Sequence, residues 1–485
     1  MVEPSRSATK GRGLQAADRI RTREPVLWAA LATGSALVLG GAAVADTVVA
    51  LAFALGLALV LIVTVRPAAL LVILTATVSL SVVTLSGVTI SRIAAPLTLL
   101  VVLAALIRGA GSLRPAAPLL WVFLFALWAV ASGFWSVSPG GTAFQLGSLA
   151  IAVVYMLAFA SLLSSRSDLD RVLYSFAVTA LGVGIFGIVS SRGRAEGISG
   201  DANAFALVQV VALPLVIVLA SEARRLWARA GLYVVAVTIV VSVLASLSRG
   251  GLLTLLAVTL LALTIPARTF FRSRGQKALV ILLLCTGAGY GFQTTAQALP
   301  DRIDAIFVQE DRTGSGRLNA WRAAWAAIQE RPVLGLGYGG FDPSANDLLL
   351  RTPGVDLSNQ NLRPEGLKAH STFIGTLAEL GVPGLLLLLG ILGSTARALW
   401  RTARRAHQVG SLFLARAASA LLVSLIGWSV GAMFLSAETA RTLWIIIGIS
   451  LALPKLLPAQ AWGRAPGTPP GASSGRPLDV RGSRG

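Results

Sequence analysis

The sequence predicts an all-α integral membrane protein with about 12–14 transmembrane helices and one large amphipathic extracytoplasmic loop. Three observations carry that expectation. Of 485 residues, 55% are hydrophobic and 13% charged, whereas soluble domains carry roughly 25% charged residues. The mean hydropathy is +0.77. The basic residues punctuate the apolar runs in alternation and form no single patch, as the positive-inside rule requires. The net charge of +20 is therefore a topology signal, not a nucleic-acid footprint.

Taken in order, residues 1–25 form a basic cytosolic tail. The run that follows, Pro25 to Ala45, is long enough to span and lacks a clear small-residue cleavage site, so it does not read as a cleavable signal peptide. Membrane helices occupy 26–292, with spans expected near 26–45, 48–65, 68–86, 93–107, 117–135, 144–164, 172–190, 203–221, 231–247, 250–266 and 278–292. Residues 293–370 form the extracytoplasmic loop. Further spans near 384–396, 412–432 and 441–457 fill the region 371–458, and 459–485 is a Gly-, Pro-, Ser- and Arg-rich disordered cytosolic tail. The run 384–396 is too short to span alone and can begin inside the amphipathic segment before it. With the N-terminus in the cytoplasm, 28 of the 41 Lys and Arg residues fall inside and 13 outside.

The long loop has nine Asp/Glu and eight Lys/Arg. Loops of this length are functional or disordered, and this one carries a helical period. Ser315 can cap a helix in which Trp321, Trp325 and Ile328 share one face, with Arg317 a turn before Trp321. Such a helix is expected to lie flat on the membrane with its tryptophans down. Pro332 ends it, and Gly335-Leu-Gly-Tyr-Gly-Gly340 follows.

One cysteine, Cys285, excludes an intrachain disulfide, and two histidines exclude a multi-histidine metal centre. No metal and no cofactor are expected. The anomaly is the set of outer arginines. Arg192, Arg194 and Arg249 sit in very short outer connections, and Arg317 sits in the long loop. A charge at a span end is costly unless it is used. Guanidinium forks match phosphate oxygens, so these residues are candidates to grip an anion. His370, where the loop meets the next membrane segment, can accept a proton from a hydroxyl. His407, in the basic run from Arg401, reads as a plain cytosolic residue. Three motif-like signals lack their context. The glycines of 335–340 follow no strand, Asp168-Leu-Asp170 has no nucleotide-binding domain around it and reads as solvated charge, and Ser248-Arg-Gly joins two spans.

His370-Ser371-x-x-Ile374, with Gly381 after six more residues, is similar to a signature of the O-antigen ligase and O-antigen polymerase superfamily. Arg249-Gly-Gly-Leu-Leu253, Gly197-x5-Asn203-x2-Ala206 and Gly316-Arg317-x3-Trp321 through Pro332-x2-Gly335-x-Gly337 resemble its other elements, in the same order. Ser371 stands where Asn is common. The resemblance implies a metal-independent, multi-span glycosyltransferase of the plasma membrane, with its active site on the extracytoplasmic side. It implies a polyprenyl-diphosphate-linked glycan as donor and a glycan, lipid or wall polymer as acceptor. It implies His370 as general base and Arg194, Arg249 and Arg317 as diphosphate ligands. Ligase and polymerase remain alternatives, and a lipid-linked glycan flippase is the competitor from another class. A transporter places its ionisable residues near the bilayer midplane, whereas here they gather at span ends and in one outer loop.

Overall fold

The structure, a computed structural model, describes residues 68–78, 84–85, 88–190, 194–264, 271, 273–282, 285, 315–351 and 368–458. The expected spans 26–45 and 48–65, both tails, and residues 293–314 and 352–367 of the loop lie outside the described residues, as does most of 278–292. Contacts divide the chain into Met1–Ala69 and Leu70–Gly485, and apart from Ala68 and Ala69 the described residues belong to the second unit.

That unit is helical. In chain order it contains α1 (Ala68–Thr77), a small hairpin β1 (Thr84–Leu85) and β2 (Val88–Thr89), α2 (Ile90–Ile107), α3 (Ala117–Ala131), α4 (Pro139–Leu162), α5 (Arg166–Val189), α6 (Ala202–Glu222), α7 (Leu226–Ala245) and α8 (Arg249–Thr264). Then come α9 (Ser315–Glu330), α10 (Phe341–Arg351), α11 (Thr372–Gln408), α12 (Leu412–Gly431) and α13 (Arg441–Ala452). Among the described residues, 7 helices are long and apolar enough to cross a membrane, and three shorter apolar helices accompany them. The protein is an all-α integral membrane protein.

Helix α6 is the axis of the bundle. Its sequence is apolar on every side, the mark of a helix buried all round, and 89% of its most apolar window is buried. It packs on α5, α7, α8 and α12. Two side-chain donors are bonded here: the Gln209 amide N–H donates to the Ala180 carbonyl at 3.0 Å, and Ser424 of α12 donates to the Val211 carbonyl at 2.7 Å. Unbonded, such groups would each cost several kcal/mol in apolar surroundings, on the order of 2–7. Where α13 crosses α4, Gly448 lets the two backbones meet, since a Cβ there would lie 2.5 Å from the Met156 carbonyl oxygen.

Two expectations change, and one open alternative is decided. The span expected over 68–86 stops at Thr77, and the chain returns as a hairpin pairing Thr84 with Thr89. The sequence here is rich in Thr, Val and Ser, which resist helix. The short run 384–396 belongs to a 37-residue helix, α11, that breaks once, at Gly381 with φ 65°. Asp168, expected to be solvated, is buried: with Ser165 it forms a capping box at the start of α5, and Arg171 bonds it at 3.1 Å.

Candidate functional site

Four chain segments meet at one end of the bundle. The 194–202 connection is tied to the α7–α8 corner, where Ala195 N–H donates to the Ala245 carbonyl at 2.9 Å and Arg194 Nε donates to the Ser246 carbonyl at 2.8 Å. Asp201 caps α6 by accepting from the Asn203 N–H at 2.7 Å and the Ala204 N–H at 3.3 Å. Ser248 caps α8, its Oγ accepting from the Gly251 N–H at 3.0 Å. The Ser248 side chain is fully buried, so its one proton needs an acceptor, and it finds Asn203 Oδ1 at 2.6 Å. This bond fixes the Asn203 amide and joins the starts of α6 and α8.

Arg249 is the first residue of α8 and Arg317 the third of α9. Arg317 is half-buried within electrostatic reach of Asp201, Arg194 and Arg249. Burial pulls its guanidinium below the usual range; Asp201 opposes that shift, and Arg194 and Arg249 add to it. The three expected anion-gripping arginines therefore form one cluster in which, among the described residues, Asp201 is the carboxylate acting on Arg317, near the positive ends of helix dipoles. Arg192 lies outside the described residues.

His370 is linked to this cluster along two routes. From the Arg317 helix, Trp321 Nε1 donates to the carbonyl of Ala369 at 2.9 Å. From the Arg249 helix, Gly250 lies against Phe434, where an added Cβ would meet the Phe434 Cβ at 3.0 Å. The same 432–440 connection binds Thr372: the Thr372 N–H donates to the carbonyls of Ala432 and Leu435, and its hydroxyl donates to the Leu435 carbonyl at 2.7 Å. His370 is half-buried with φ 49°, and Leu247, beside the Arg249 corner, also has φ 49°. These are the two non-glycine residues with positive φ among the described residues. Each such conformation costs about 1–3 kcal/mol, and such strain clusters where function over-determines the backbone.

The glycine-rich stretch holds α11 in place. Leu336 N–H and Gly337 N–H donate to the carbonyls of Ala378 and Glu379 at 2.9 and 2.8 Å, and Val382 N–H donates back to Pro332 at 2.9 Å. These bonds satisfy backbone groups freed by the break at Gly381, and Trp128 Nε1 takes the Leu380 carbonyl at 2.9 Å. Contact is so close that a Cβ on Gly381 would lie 2.0 Å from the Val333 oxygen. The loop motif and the glycine after His370 are two halves of one joint.

Helix α9 forms where Ser315 and the tryptophan spacing predict it, and its other face packs on the protein. Its inward face is alanine: Ala320, Ala323, Ala324 and Ala327 are buried, packed with Ile328 against α10 and α11, while Trp325 is 57% exposed. The small side chains let α9 pack closely, which a tryptophan stripe would prevent.

Residues 234–389 match the family model described as O-antigen ligase. Over that segment the chain is similar to O-antigen ligases. No curated protein matches the chain. The ligase-family segment contains Arg249, Arg317 and His370, and Arg194 precedes it. Asp201, Ser248 and Thr372 were not singled out from sequence as site residues. Asp201 was visible as a cap before an apolar run; the other two act through contacts with distant segments, which no local pattern encodes.

Proposed function

We propose that the protein transfers a glycan from a polyprenyl-diphosphate carrier to an acceptor hydroxyl at the outer face of the plasma membrane, inverting the anomeric centre without a metal. The observation that carries this reading is the convergence of Arg249 and Arg317, at two helix starts, with Arg194 of the 194–202 connection, tied to a strained His370. Fixed donors aimed at developing negative charge are a large source of rate enhancement in a water-poor site. The arginines would hold the diphosphate as the bond between its oxygen and the sugar's anomeric carbon breaks. His370 would take the proton of the acceptor hydroxyl as that oxygen forms the new bond from the opposite face. A diphosphate so neutralised leaves without a covalent intermediate, and one base suffices.

The match of residues 234–389 to the O-antigen ligase family model supports ligase- or polymerase-like chemistry; the two differ in the acceptor. The test supplies defined polyprenyl-diphosphate glycan and candidate acceptors to purified protein in detergent, where a flippase has no product to make. Transfer by the wild type, reduced about 10²-fold or more in Arg249→Gln and His370→Ala, is expected. Undiminished transfer by His370→Ala removes the histidine from the reaction.

A further inference from the structure

A second pair of guanidiniums lies outside the cluster just described. Arg92 is the third residue of α2 and Arg441 the first of α13, and both helices pack on α4. Arg92 stacks over the Phe144 ring at 4.6 Å, and Arg441 lies within electrostatic reach of Arg92 and of Tyr155. Tyr155 is buried and its hydroxyl meets Thr77 Oγ1 at 3.1 Å. The groups acting on Arg441 are thus a second cation and a neutral phenol, and its buried Nε has no hydrogen-bond partner. Among the described residues, neither arginine is in an ion pair within 4.0 Å.

Three physical terms oppose this arrangement. Two like charges repel. Each sits in the first turn of a helix, where the dipole disfavours cations. An orphaned buried donor costs about 1–3 kcal/mol, more when charged. The backbone around the pair is interrupted as well. Helix α1 ends at Thr77, the α2 start follows the hairpin, and α13 starts well down the bundle. Gly448 packs at the level of Met156 and Phe159. Counting back at 1.5 Å per residue puts Arg441 about 15 Å below the first turn of α4. Within a membrane protein, broken helices and unpaired cations occur together where they line a cavity or a binding site.

We propose that Arg92 and Arg441 form a second anion site, separate from the arginine cluster beside His370, that takes a phosphate group. An anion held between the two forks would remove the repulsion, satisfy Nε and turn both helix dipoles to advantage. Phosphate chemistry has two sources here. A phosphate on a lipid enters sideways from the bilayer; a soluble phosphate enters from water.

The test uses the full-length protein in phosphatidylcholine nanodiscs, with thermal unfolding as readout. One arm adds phosphatidylglycerol to the bilayer and the other adds inorganic phosphate. The wild type is stabilised in at least one arm, and which one identifies the source. Arg92→Gln, at an exposed side chain, and the pair Arg92→Gln with Arg441→Gln weaken that response about tenfold in apparent affinity, while Arg404→Gln, exposed near the end of α11, retains it. If the double variant does not fold, Arg92→Gln alone decides. Stabilisation in neither arm, or a response that survives Arg92→Gln unchanged, overturns the proposal.

Discussion

Arg249 and Arg317 each occupy the first turn of a helix, where a positive charge is electrostatically out of place. The same positions become favourable once an anion sits in front of them, because guanidinium and dipole then act together. His370 shows a related trade. A histidine at φ 49° bears strain that glycine would not. His370→Gly should therefore separate folding from chemistry. The variant is expected to unfold no more readily than the wild type, while glycan transfer falls about 10²-fold or more. Calorimetry and a transfer assay on the same preparation check both halves. A stable, fully active glycine variant would show that the imidazole is not the base. The arginines and His370 were legible in sequence because each breaks a local rule: charge at a span end, or a lone histidine at a loop–membrane junction. Their clustering was not, since the Ser248–Asn203 and Trp321–Ala369 bonds join residues 45 and 48 positions apart.

At the scale of elements, the joint between the 332–340 stretch and the break in α11 sets where His370 stands. Gly381→Ala would place a methyl 2.0 Å from the Val333 oxygen in a backbone conformation that alanine resists. Stability is expected to fall by about 2 kcal/mol or more, with transfer lost in proportion to the misplaced helix start. A chemical-denaturation midpoint unchanged from wild type would show the joint is not structural. Beneath the same stretch, buried acids give a pH signature. Burial raises the Glu438 carboxyl, which accepts from Gln145 at 2.6 Å, and burial likewise raises Asp342, with Lys368 opposing. A carboxyl raised in the folded state binds more protons there than in the unfolded chain. Stability is then fullest below the ordinary carboxylate range and falls as pH rises through the raised native value. Melting temperature should rise on going from about pH 8 to about pH 5, and Glu438→Gln should flatten that rise. A wild type that melts lower on acidification, with the variant indistinguishable, contradicts it. Helix periodicity announced α9 and an apolar run announced α12, yet neither announced that α1 would stop at Thr77 or that α9 would turn its alanines inward. Both outcomes depend on what packs alongside.

For the whole molecule, the alternation of basic residues and the direction of the helices make one statement about orientation. The starts of α6, α8 and α11 share an end with Arg194, Arg249 and His370, and all three helices run away from it. The opposite end carries the basic termini: Arg416 bonds Glu222, Arg166 lies 3.6 Å from the same carboxylate, and α11 finishes through Arg401, Arg404 and Arg405. If the positive-inside rule governs insertion, the basic end is cytoplasmic and the arginine–histidine end faces out. Cysteine labelling decides this in a Cys285→Ser background, because Cys285 is the only native thiol. Leu350→Cys, on α10 at an exposed position, should react in intact cells with a membrane-impermeant maleimide. Arg404→Cys, exposed at the other end, should react only after the membrane is opened. The reverse pattern would put His370 on the cytoplasmic side. A reaction fed by an outward-facing lipid-linked glycan would then lose its geometry, whatever the arginines can bind.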